Sequence, residues 1–61
     1  MYYEECESLR INTILLASSV LKSMKNAIDA GEIEKAARMS EIYRHLLKAA
    51  NELEIAAGLA L

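Results

Sequence analysis

Two glycines and no proline punctuate this chain, and the placement of the glycines limits the fold more than any other feature. Gly31 stands at the midpoint and Gly58 close to the end. Glycine and proline are the strongest local breakers, so the tract on either side of Gly31 is expected to run as one helix. The pattern predicts helix 1 over about residues 3–29, a turn at 29–32 and helix 2 over about 32–58. At about 1.5 Å rise per residue, each helix reaches roughly 40 Å. The stretch NAIDAGEIEKAA around the midpoint carries turn chemistry. Gly31 is free to take a positive φ past a helix end, and Asp29 can bond locally. Glu32 and Glu34 open helix 2, as Glu4, Glu5 and Glu7 open helix 1, where the helix dipole favours negative charge. A bend this short holds the two helices antiparallel.

On a helical wheel, residues such as Cys6, Leu9, Ala17, Val20, Met24 and Ile28 share one broad face of helix 1. Met39, Ile42, Tyr43, Leu46, Leu47, Ala50 and Leu53 do the same in helix 2. Both faces are wider than the ~100° stripe of an ordinary surface helix. A lone hairpin covers about half of such a face, whereas a four-helix bundle made of two hairpins covers the rest. Alanines alternating with leucine, isoleucine and methionine suit closely packed bundle layers. The expected fold is therefore all-α: a single domain, residues 1–61, forming an antiparallel two-helix hairpin. That hairpin is expected to dimerise into a four-helix bundle or a higher helical oligomer.

Size supports association. A core in 61 residues supplies only a few kcal/mol, and small folds add disulfides, metals or subunits. Cys6 is the sole cysteine, which excludes an intrachain disulfide and fits a reducing compartment. The net charge is −2. Residues 1–31 hold four acids against three bases and residues 32–61 five against four, so neither half has the basic excess of a nucleic-acid binder. No apolar run approaches the ~18–20 residues of a membrane span, and MYYEECESLR lacks the apolar core of a signal peptide. A cytoplasmic protein without a membrane association is expected.

Individual residues give weak functional signals. Glu41 and His45 lie one turn apart, but bundle metal sites use several inward glutamates with Glu-x-x-His spacing, and this pair sits on the polar face. Cys6 has three glutamate neighbours, unlike the electropositive surroundings of reactive thiols. Ser18 and Ser19 have no histidine in helical register, and no phosphate-cradling glycine loop is present. Neither catalytic nor metal residues nor cofactors are expected. Tyr2 and Tyr3 suit the open end of a bundle, with their hydroxyls in water. Arg10 and Thr13 interrupt the apolar face. Arg10 is expected to snorkel or to pair with Glu7, Glu52 or Glu54, with register selection at a dimer interface or anion binding as its other roles. Ile11 and Leu15, and again Ile55 and Leu59, form aliphatic pairs outside the main faces and are the candidate partner-binding residues, with a wider core or a higher oligomer as the other reading.

The length, the single bend after NAIDAGE and the layering of alanine with large apolar residues resemble the Rop family, plasmid-encoded repressors that form four-helix dimers and bind paired RNA loops. AGEIEKAARMSEIYRHLLKAA also resembles helical hairpins of small phage proteins and helical repeats. The Rop resemblance implies an RNA-contacting exposed face on helix 1, which here carries Ser8, Ile11, Asn12, Leu15, Ser19, Lys22 and Asn26. The expected function is that of a small, non-enzymatic, homo-oligomeric interaction module: an adaptor, inhibitor or chaperone-like regulator of phage or plasmid type. The alternative is an RNA- or nucleotide-binding regulator using Arg10, Lys22, Lys25, Arg44 and Lys48 as anion contacts.

Overall fold

The structure, a computed structural model that describes all 61 residues, consists of two helices in contact, α1 (Tyr3–Asp29) and α2 (Ile33–Leu59). The hairpin measures 46 × 14 × 9 Å along its principal axes, so it is one helix layer thick. No helix is long and apolar enough to cross a membrane.

The turn is built from backbone hydrogen bonds. Past the end of α1, the N–H of Gly31 donates to the carbonyl of Ile28 (3.0 Å) and that of Glu32 to the carbonyl of Ala27 (2.8 Å). These two bonds form a Schellman motif, which satisfies carbonyls that a helix end leaves without partners. The motif needs a left-handed residue at its centre, and Gly31 has φ 77°. Glu32 (φ −84°, ψ 72°) belongs to the motif, so α2 begins at Ile33, one residue later than the sequence suggests. Its far end also lies one residue later, at Leu59, with Ala60 as the C-cap. Neither helix has a side-chain N-cap bond. Glu4 and Glu5 in α1 and Glu34 in α2 supply negative charge at those ends instead.

Burial follows a seven-residue repeat, with Glu7, Leu21 and Ala56 half-buried beside it. On α1 the seam runs through Cys6, Arg10, Thr13, Ala17, Val20, Met24 and Ala27; on α2 it runs through Ala36, Met39, Tyr43, Leu46, Ala50, Leu53, Ala57 and Ala60. Steps of three and four alternate without a break, the spacing of a left-handed coiled coil. Only Ala17, Ala27, Ala36, Ala50 and Ala57 are fully buried. No large side chain is. Alanine at the contact lets two backbones approach closely, but it encloses little apolar volume. The expected broad faces therefore divide: their seam residues pack within the hairpin, while Leu9, Ile28, Ile42 and Leu47 remain about half exposed.

Candidate interaction surfaces

In an antiparallel pair, the positions flanking the seam on one side of each helix share one flat face, and those on the other side share the opposite face. One face carries Leu9 and Leu16 from α1 beside Ile42, Ala49 and Ala56 from α2; we call it the leucine–alanine face. Leu9, Leu16 and Ile42 are each more than half exposed. The opposite, isoleucine face carries Ile14, Leu21 and Ile28 beside Ile33 and Leu47, of which Leu21 is half-buried and the others exposed.

The two faces differ in charge. Along the isoleucine face, Glu7 and Glu54 flank the seam residue Arg10 toward the open end of the hairpin. Arg10 clasps Glu7 with two donors: Nη2 donates to Oε2 at 2.7 Å and Nε to Oε1 at 3.1 Å. This bidentate bond holds the Glu7 carboxyl below its ordinary range and raises Arg10 further, with Glu54 adding a favourable field on the guanidinium. Of the partners expected for Arg10, the structure selects Glu7 for the bond itself. Thr13, which also interrupts the apolar seam on α1, donates from Oγ1 to the carbonyl of Leu9 at 2.7 Å, so neither Arg10 nor Thr13 is left unsatisfied. The leucine–alanine face has no charged flanking residue between Tyr2 and Ala56 except Lys35, which lies beside the turn and 3.9 Å from Glu32.

The candidate partner-binding residues fall into two separate places. Ile11 and Leu15 lie together on the outer side of α1, turned away from α2, and both are at least half exposed. Ile55 and Leu59 lie together on the outer side of α2. The hairpin does not bring the two pairs into one patch. The candidate anion contacts are dispersed as well. Arg10 is committed to Glu7, and Arg44 Nη2 donates to Glu41 Oε2 at 2.7 Å. Lys22 and Lys48 project from opposite outer edges, and Lys25 is exposed on α1. No basic cluster results.

His45 Nε2 stands 3.9 Å from Glu41 Oε2, a carboxylate already bonded to Arg44, which lowers its pKa. No three metal-ligating side chains converge. Cys6 is free and half-buried on the seam. The one concavity is an open groove lined by Glu4, Glu5, Ser8 and Leu9, all from two turns of α1. The division into two unequal faces follows from the seven-residue repeat in the sequence.

Comparison with protein families, curated proteins and solved structures finds no match to this chain.

Proposed function

We propose that this chain is a small, non-enzymatic, self-associating helical hairpin that serves as a protein-interaction module, as an adaptor, inhibitor or chaperone-like regulator. One observation carries the reading: the hairpin buries only alanines completely, while its large aliphatic side chains line two flat faces and two outer edges in contact with water. A folded monomer of this mass exposes about 4,000 Å² by the usual scaling. This one, at 6.8 kDa, exposes 4653 Å². Each copy in a stable interface contributes about 800 Å², so pairing offsets the excess. Self-association covers a flat face and leaves the outer edges free, where Ile11 and Leu15 make the compact aliphatic patch suited to anchoring a partner helix or groove.

The test has two parts. Light scattering at micromolar concentration is expected to give a dimer or larger. Affinity capture from the native host is then compared between the parent and Ile11→Glu/Leu15→Glu, which is expected to stay oligomeric and lose the captured protein. Capture of the same protein by the double variant would remove the outer side of α1 from the account. RNA co-purifying with the parent, seen as excess absorbance at 260 nm, would instead favour the nucleic-acid alternative.

A further inference from the structure

We infer that the second copy seats on the leucine–alanine face, with the turns of both hairpins at the same end of the bundle. This rests on the self-association proposed above and specifies its geometry.

Three observations converge. The first is charge. If two copies met through the isoleucine face in the same-end arrangement, Glu7 of one would lie level with Glu54 of the other. That would gather four carboxylates around the two Arg10 guanidiniums, which already hold hydrogen bonds to Glu7. The leucine–alanine face has no such opposition. The second observation is shape. With turns at one end, α1 of each copy lies over α2 of the other, and residues at similar distances from the turn meet. Leu16 then falls near Ala49, Leu9 near Ala56 and Ser23 near Ile42. Every layer pairs a large side chain with a small one, the alternation that close packing requires. With turns at opposite ends, α1 would lie on α1 and α2 on α2, so that Leu16 meets Leu16 of the other copy and Lys35 falls on Ala56. The first contact sets two large side chains in one layer, and the second brings a charge onto the apolar face.

The third observation is the rim. The next positions outward are Asn12, Ser19 and Asn26 on α1 and Arg38, His45 and Glu52 on α2, all exposed. In the same-end arrangement Asn12 comes level with Glu52, Ser19 with His45 and Asn26 with Arg38 of the other copy. Each charged or titratable group on α2 meets a neutral hydrogen-bonding group on α1, and no like charges meet.

Association is measured for the parent, Leu16→Glu and, as a matched change on the opposite face, Ile14→Glu. Leu16→Glu is expected to weaken dimerisation at least a hundredfold and Ile14→Glu less than tenfold; the reverse order would overturn the choice of face. Should the Leu16→Glu chain not fold alone, its loss of helicity at concentrations where Ile14→Glu remains a folded dimer is the same result. A second measurement needs no change at the interface. Spin labels on Ala30→Cys in a Cys6→Ser background should lie within about 20 Å of each other, roughly two helix diameters. A separation near 40 Å, the length of a 27-residue helix, would overturn the same-end arrangement while leaving self-association standing. A parent chain that stays monomeric would instead overturn the self-association proposal beneath it.

Discussion

Gly31 and Gly58 are the same residue in opposite circumstances. At Gly31 φ is 77°, yet a Cβ built there would meet nothing within 4 Å. The obstacle to any other residue is thus the backbone conformation rather than a clash. Gly31→Ala is expected to cost about 1–2 kcal/mol, the usual penalty for a left-handed L-residue, and to lower Tm by several degrees at fixed protein concentration. Gly58 is helical, exposed and equally open, so Gly58→Ala should raise stability by about 0.5–1 kcal/mol. Thermal melts followed by circular dichroism check both, and equal effects of the same sign would contradict the assigned turn. Glu7 gives a pH signature. Its folded pKa lies below the ordinary 4.5 because Arg10 bonds the carboxylate. The resulting stabilisation is full above the unfolded value and is lost as pH falls through the lower folded value. In melts from pH 6 downward, Glu7→Gln should flatten the decline below about pH 4.5; an unchanged acid limb would mean that the bond contributes nothing.

Between the two helices, the seam alanines set how closely the backbones approach. Ala17 is 2% exposed, and Ala17→Leu should destabilise by about 1–3 kcal/mol through overpacking. Ala37→Leu, at an exposed position one residue along from a seam alanine, should change stability by less than about 0.5 kcal/mol. Chemical denaturation measures both, and similar costs would contradict the seam. The hairpin itself was legible in the sequence, because one left-handed glycine between two unbroken amphipathic tracts leaves few other folds. The exact start of α2 was not, since Glu32 completes the Schellman motif instead of opening a helix. Of the ion pairs, Glu7–Arg10 was legible, because Arg10 interrupts the apolar face and needs a partner; the exposed one was not. Glu34–Arg38 and Lys48–Glu52 have the i,i+4 spacing of helix ion pairs, yet the exposed bond that forms is Glu41–Arg44 at a spacing of three. Exposed pairs differ by only a few tenths of a kcal/mol, too little for spacing alone to rank them. Leu9 and Leu47 fall beside the seam rather than on it, a distinction that a 3.6-residue period blurs and a seven-residue repeat makes.

For the whole molecule, the surface left unfilled matters more than any single contact. A single layer of two helices whose buried residues are all alanine cannot shelter its leucines and isoleucines, so the proposed bundle is where they become core. Folding and pairing are then one equilibrium, and stability should depend on protein concentration. The most direct test is sedimentation equilibrium combined with thermal melts from sub-micromolar to hundreds of micromolar chain. The account predicts a mass of at least twice 6.8 kDa over the upper range and a Tm that rises with concentration. A helical species of 6.8 kDa throughout, with a Tm independent of concentration, would contradict it.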